Sequence, residues 1–433
     1  MAEELADQPI GGAEELADQP IGGAEELADQ PIGGAEELAD QPIRGAEVGE
    51  FAFTPEQQQL RTAVGKFCAE NFDEATVRRL MESEPRFDPA VWRRLGSELG
   101  VLGLSAPESD GGVGGSLVDQ AVAVEQFGAA LACGPLFGTV YLAIPALVAA
   151  AAGPDRDDLL AALVDGERTA AFAVPDSGGI FTPERVTVTA TGSGGDVTLT
   201  GTVDQVVDGD AADAILLAAN GSDGLALYVA DAAQVQRTPL VTMDLTRPQA
   251  TIVLTDTPAR QIAGSQDAER VITHALQVGS ALLAVEQVGA AQHLLDLSVE
   301  YAKSRLQFGR QIGSFQAIKH KLADMLVDLE HARSTAYHAV WALSHGSDDP
   351  ALAVSIAQAT CSAAFSRIAA DAIQVHGGIG FTWEHQAHLY FKRAATDAAL
   401  LGSAEQHRSH VADLVLDNAI AHSGAVPVAT GRP

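Results

Sequence analysis

The chain has 433 residues and 44.9 kDa, 47% of them hydrophobic and 19% charged, which leaves room for two or three domains around a large core. Its net charge is −32. Residues 1–50 hold 14 acidic side chains and one Arg, so −13 falls there and −19 in the remainder; a surface that acidic disfavours nucleic acid and anionic membranes, whose phosphates need Lys and Arg. Cys68, Cys133 and Cys361 are scattered, with no metal-ligand spacing and no disulfide framework, so a reducing cytoplasm is expected. There is no basic-then-apolar leader at the start and no long, purely apolar run flanked for a membrane.

Residues 2–45 are four copies of AEELADQPIGG, the last altered at Arg44. Each unit carries a helix-breaking Pro-Ile-Gly-Gly and too little apolar surface to offset the entropy of ordering. A disordered acidic tail is expected over 1–50, with a partner-binding tail as the alternative. From Thr54 to about Gly166 the pattern is helical. Thr54-Pro55-Glu56-Gln57 starts a helix, with Thr as N-cap, Pro in first place and Gln completing a capping box. A second helix is expected over Pro89–Leu99. Pro107 and the glycines at 111, 112, 114 and 115 make a loop, and an Ala-rich stretch from Val118 to Leu163 completes a helical domain over 51–166.

Near Thr169 the period changes to alternation. Arg185–Ala190, Val197–Val203, Ala214–Ala218, Leu225–Val229 and Thr251–Leu254 read as strands of a β domain over 167–264, with a hairpin turn at 192–195. Residues 265–422 return to helix, with Glu269–Lys303 as one long element, and 423–433 are expected to be a disordered tail. Between Glu300 and Glu330 the pattern is helix, tight connection, helix. Ile318, Leu322, Met325 and Leu329 mark one buried stripe. Arg305 can fork two hydrogen bonds onto a phosphate and Gly309 lets backbone approach a ligand; a plain salt-bridged surface is the alternative. Further on, Gln374-Val-His-Gly-Gly-Ile-Gly places Gly377, Gly378 and Gly380 where a helix would not tolerate them, either as a close-approach segment or as a helix C-cap and turn.

Taken whole, Tyr301-Ala-x-x-Arg305-x-x-Phe308-Gly309, then Ile312-Gly-x-Phe315-Gln316, then Lys319-His320-x-Leu322-Ala-Asp-Met325, strongly resembles the acyl-CoA dehydrogenase family; with the Gln374 segment at family-like separation, the resemblance spans 51–422. It implies an α+β fold with an N-terminal helical domain, a middle β domain that covers one side of a flavin, and a C-terminal helical bundle. It implies FAD as cofactor, with Arg305, Phe308, Gln316, Gln374, Val375, His376, Gly377 and Gly378 meeting its pyrophosphate and adenosine end across a subunit boundary. The implied reaction is α,β-dehydrogenation of an acyl-CoA thioester, fatty acyl or steroid side chain. A carboxylate takes the α-proton, the flavin accepts the β-hydrogen as hydride, and an electron-transfer flavoprotein follows as acceptor.

Three positions depart from the family pattern. The usual base position falls on Leu401, followed by Gly402, and the nearest carboxylates, Asp397 and Glu405, are four residues away. The alternative base position, on the long helix, falls on Gly279; Glu286 and Glu269 are the remaining candidates, and otherwise the catalytic residue is unknown. Behind the ring, the family's Thr-Glu-Pro segment reads Ala173-Val-Pro-Asp, its Trp is Gln205 and its Thr is Val207. The expectation is a base-lacking partner subunit that completes FAD sites in a heteromer, as some bacterial members form. A self-sufficient homotetramer with a relocated base and a non-enzymatic acyl-CoA binding protein are the alternatives. No Gly-x-Ser-x-Gly elbow, no strand-borne Gly-x-Gly-x-x-Gly and no H-E-x-x-H appears, so hydrolase, nicotinamide and metal readings lack residues; His320 and His376 read as a helix-face and a cofactor-loop residue. The substrate's chain length or ring system is set by the space between the domains, which no motif encodes.

Overall fold

The computed structural model describes residues 53–177, 179–192, 196–346 and 348–423. The repeat array, most of the expected 192–195 turn and residues 424–433 lie outside them.

The N-terminal layer is helical: α1 (Pro55–Asn71), α2 (Glu74–Leu80), α3 (Pro89–Ser97), α4 (Leu117–Ala129), α5 (Ile144–Ala149) and α6 (Pro154–Val164). Thr54 caps α1 as its sequence requires: its hydroxyl accepts from the Gln57 N–H at 3.3 Å, and the Gln57 side chain accepts from the Thr54 N–H at 3.1 Å. The Ala-rich stretch is not one run of helix. Between α4 and α5 lies a buried π-helical segment, Leu136–Ala143, a rare geometry that leaves its wider turn only where surrounding packing holds it.

The β domain contains β1 (Ala170–Ala173), β2 (Asp176–Ser177), β3 (Ile180–Phe181), β4 (Thr189–Thr191), β5 (Val197–Val207), β6 (Ala214–Gly221), β7 (Gly224–Asp231), β8 (Gln236–Pro239) and β9 (Gln249–Ala263). Pairing runs β6-β4-β5-β9-β7 and returns to β6, so these five strands close on themselves, with β1 appended to β6 and β8 to β9. Alternation divides the side chains between two cores. Ile215, Leu217 and Ala219 of β6 and Ala226, Tyr228 and Ala230 of β7 fill the inside of the sheet, while Leu216, Ala218, Leu227 and Val229 pack outward into the helical core. The strand expected over Arg185–Ala190 is a correction: Pro183 opens a short 3-10 turn through Arg185, and only Thr189–Thr191 joins the ladder.

The C-terminal bundle comprises α7 (Ala268–Ser304), a hairpin of β10 (Leu306–Gln307) and β11 (Arg310–Gln311), α8 (Gln316–His345), α9 (Pro350–His376), α10 (Ala387–Asp397) and α11 (Ala404–Ser423). Met325 and Leu329 are buried as the stripe predicts, with Ile318 and Leu322 half-buried at its outer end. Helices α7 and α9 are long and apolar enough to cross a membrane, yet 83% and 61% of the qualifying windows are buried inside the protein, which marks them as core helices.

Candidate functional site

A cavity of about 600 Å³ opens between the β domain and the turn joining α10 to α11; Val174, Pro175, Val203, Gln205, Thr396 and Leu401 are among its walls. At Val203/Val206 the β5–β9 register slips, and within the slip Gln205 takes φ +58° and stands exposed. Val207 is buried and does not reach the cavity. Leu401 has φ +52°, a backbone state that costs a branched residue about 1 kcal/mol, and Gly402 follows at φ +101°. The strain is held from two sides: His407 Nε2–H donates to the Leu401 carbonyl at 2.8 Å, and Gly179 lies so close that a Cβ there would sit 2.3 Å from the same oxygen. Among the described residues the cavity wall has one carboxylate, Asp204, which is exposed at the rim and accepts from the Thr251 hydroxyl at 2.8 Å. Among the described residues no aromatic ring lines it.

The hairpin offers a different surface. Phe308 (φ +51°) and Gly309 (φ +79°) are its two central residues, both left-handed as the tightest two-residue turns require. The turn thrusts Phe308 outward to 90% exposure, while the Arg310 guanidinium stacks on Phe315, 4.0 Å from the ring centroid. Arg305 and Gln316 are exposed on either side, and Gln374 is exposed in the last turn of α9; among the described residues none of these three side chains has a hydrogen-bond or ion-pair partner. The two motifs meet at their roots: the Tyr301 ring, one turn before Arg305, packs tilted against His376 with centroids 4.5 Å apart, and His376 packs tilted against His385 at 4.3 Å. His376 is therefore not a loop residue. It closes α9, is buried, and donates from Nδ1 to the Ala372 carbonyl at 2.7 Å. Val375 is buried too, so from 375 and 376 only the backbone could face a ligand. Gly377 ends the helix at φ +64°, and the space where Cβ atoms of Gly377 and Gly378 would sit is open.

Neither candidate carboxylate lines the cavity. Glu269 is exposed in the first turn of α7. Glu286 corrects the expectation more sharply, because it is the centre of a buried ionic cluster where all three domains meet. Its carboxylate accepts from Arg247 (2.5 and 2.7 Å), Arg393 (2.5 Å) and the Tyr141 hydroxyl (2.8 Å). Burial pushes its pKa up, but the two guanidiniums more than reverse this and hold it down at about 2. A carboxylate so satisfied has no lone pair turned to a substrate. Arg393 also bonds Asp244 at 2.7 Å and Thr246 at 2.6 Å. Asp397 lies 3.1 Å from Arg247 Nη1, at ion-pair distance but not aligned for a hydrogen bond, and burial pushes it up to about 7. Asp208, accepting from the Gly138 N–H at 2.8 Å, is likewise raised by burial to about 7. Glu405 is exposed. At Gly279 the backbone packs on the π-helical segment, where a Cβ would stand 2.4 Å from Leu142 Cδ2, so no carboxylate fits there either. Sequence reasoning missed the cluster because its bonded pairs join positions up to 149 residues apart (Arg393 to Asp244); the available signal was a Glu inside the apolar run ALLAVEQVGAA.

These features fit one end of a flavin dinucleotide. The unpaired Arg305, Gln316 and Gln374 and the open backbone at Gly377–Gly378 suit its phosphates and adenosine, while among the described residues the cavity has no aromatic wall and only the rim carboxylate of Asp204. Residues 54–167 match the acyl-CoA dehydrogenase N-terminal domain and 269–416 the C-terminal domain. Acyl-CoA dehydrogenase IpdE2 of Mycobacterium tuberculosis is 38% identical over 349 residues, 80% of this chain and 93% of that protein. The solved ChsE4-ChsE5 complex of M. tuberculosis matches with TM-score 0.75 and 29% identity, over 85% of this chain and 99% of that one. The Tcur3481-Tcur3483 steroid ACAD G363A variant matches with TM-score 0.75 and 28% identity, over 84% and 98%. The chain belongs to the acyl-CoA dehydrogenase family, the FAD-dependent oxidoreductases acting on CH–CH bonds.

Proposed function

We propose that this chain is the base-lacking subunit of a heteromeric acyl-CoA dehydrogenase that acts on a fatty-acyl or steroid-side-chain CoA thioester, with an electron-transfer flavoprotein as acceptor. The observation that carries the reading is Leu401: a buried hydrocarbon side chain, locked in place by His407 and Gly179, on the cavity wall at the position where the family's base is expected. FAD, when bound, supplies the hydride acceptor. Arg305 would fork onto its pyrophosphate, Gln316 and Gln374 would hydrogen-bond its polar edge, Gly377 and Gly378 would let it approach the backbone, and Phe308 would exclude water beside it. The α-proton must then pass to a carboxylate of a homologous partner. The solved ChsE4-ChsE5 and Tcur3481-Tcur3483 proteins, each pairing two differently named chains, support the heteromer, and the description of the latter as a steroid ACAD supports the substrate class. Three buried, free cysteines, each pushed up to about 12 by burial, are inert thiols in keeping with a reducing cytoplasm. We read 51–166, 167–264 and 265–422 as its domains and the acidic repeats as an appended tail.

The test is to purify the chain alone and with homologous candidate partners, recording flavin absorbance and dye reduction with acyl-CoA substrates. Little flavin and no turnover are expected from the lone chain, and both are expected from a cognate pair. Full flavin content with turnover from the lone chain overturns the reading.

A further inference from the structure

A second cavity, of about 300 Å³, shares no wall residue with the one beside Leu401 or with the hairpin face. Its walls come from the C-terminal half of α1, the start of α2, the end of α4, His293 of α7 and the first turn of α10. Helix α10 therefore runs from this cavity, at Leu389, to the other, at Thr396. Small residues leave the room: Ala129 and Ala130 line it, and Gly65 lacks the Cβ that would stand 3.0 Å from Gln126 Oε1. Phe72, Val77 and Leu389 are buried and supply apolar wall. One side is a flat aromatic slab, because the His293 ring stacks on Tyr390 with centroids 4.8 Å apart and planes 16° from parallel. The slab is anchored by the Tyr390 hydroxyl, which donates to the Ala129 carbonyl at 2.6 Å.

The polar groups on this wall have capacity to spare. His293 Nε2–H donates to Gln386 Oε1 at 3.1 Å, which leaves Nδ1 as an acceptor and the Gln386 amide donors unspent. Burial lowers the His293 pKa, so the ring is neutral near pH 7. Among the described residues the Gln126 side chain has no hydrogen-bond partner. The charged residues on the wall are Asp73 and Glu74, and no Lys or Arg lines it, which disfavours an anion. Apolar walls with a few convergent polar groups are what a small-molecule site needs.

We infer that this cavity binds an uncharged, flat heteroaromatic molecule of about two fused rings, since a cavity about half its size takes benzene. Its ring packs on the His293–Tyr390 slab and its polar edge meets the Gln126 and Gln386 amides. The inference is independent of the heteromer and stands whether or not the lone chain turns over.

Indole is the probe, with indole-3-acetate, the same ring carrying a carboxylate, as its comparator. In calorimetric titration of the full chain, indole is expected to bind with a dissociation constant below about 1 mM, and about tenfold or more tightly than the acetate. Amide hydrogen exchange should show protection at the end of α1 and the start of α10. Gln126→Leu and Gln386→Leu should each weaken indole about tenfold, the loss of one hydrogen bond, with the melting temperature reporting that each variant folds. No binding up to about 1 mM, equal binding of the two probes, protection confined to β5 and the Leu401 turn, or unchanged affinity in both variants overturns the inference.

Discussion

At the hairpin face Arg305 stands in solvent with no protein partner, whereas at the three-domain junction Arg247 and Arg393 are buried and each is paired with more than one carboxylate. The same side-chain chemistry thus has opposite uses. A guanidinium left exposed keeps its donors for something that arrives from outside, and one taken out of water must be neutralised internally because burying a lone charge is too costly. Where the chain spends its cations internally, it has made structure; where it leaves them unspent, it has kept a capacity to bind.

The largest effect expected from breaking this contrast is at the junction. Glu286→Gln leaves two buried guanidiniums short of a counter-charge and should lower unfolding stability by about 3–5 kcal/mol in urea titration; a loss under about 1 kcal/mol would mean the cluster is wetter than its burial implies. Replacing Glu286 and Arg247 together by Met should lose less than the two single changes summed, since neither is left facing the other's missing charge. At the hairpin, Arg305→Ala should leave unfolding stability within about 0.5 kcal/mol, as suits an exposed residue. In the proposed heteromer it should weaken flavin retention by about 10- to 100-fold, the value of a charged hydrogen-bond pair, read by flavin fluorescence on dilution.

The buried acids give a pH test. Asp397 and Asp208 titrate near 7 in the folded chain against an ordinary value of 3.8, so between about pH 4 and 7 the folded state holds protons that the unfolded state has released. Stability from these groups therefore falls as pH rises through that window and levels off above it. Asp397→Asn should remove part of the slope and raise the melting temperature at pH 8; an unchanged slope would mean the proton resides elsewhere. The smallest expected effect is Leu401→Glu: on the proposed reading a carboxylate there should by itself give no dye reduction by the lone chain, because Gln205 and Val207 stand where the family pattern has Trp and Thr. Turnover from that variant would show the ring platform to be sufficient.

Local signals were legible wherever one segment decides its own geometry. The Thr54 capping box, the single long helix before Arg305 and the Phe308-Gly309 turn all follow from spacing, and the Leu401 and Gln205 departures needed only counting. Arg185–Ala190 misled because its alternation is real while Pro183 denies it a ladder. The ionic cluster was illegible for a different reason. Glu286 reads as a stray acid on an apolar helix until Arg247, Arg393 and Tyr141 are brought to it by folding, and no window of sequence contains them all. His376 reads in the sequence as a cofactor-loop residue, but it closes α9, because the chain leaves the helix only at Gly377 with φ +64°.

A second buried acid carries a consequence for biosynthesis. Glu125 on α4 accepts from Arg61 nearby, but its other partners, Arg333 and the Tyr337 hydroxyl, lie 208 and 212 residues downstream on α8, each at 2.5 Å. Because translation delivers the N-terminal layer first, α4 must wait on the ribosome with a half-neutralised carboxylate facing what will become core. Its final docking therefore awaits the emergence of α8, whereas the β domain has an interior of its own.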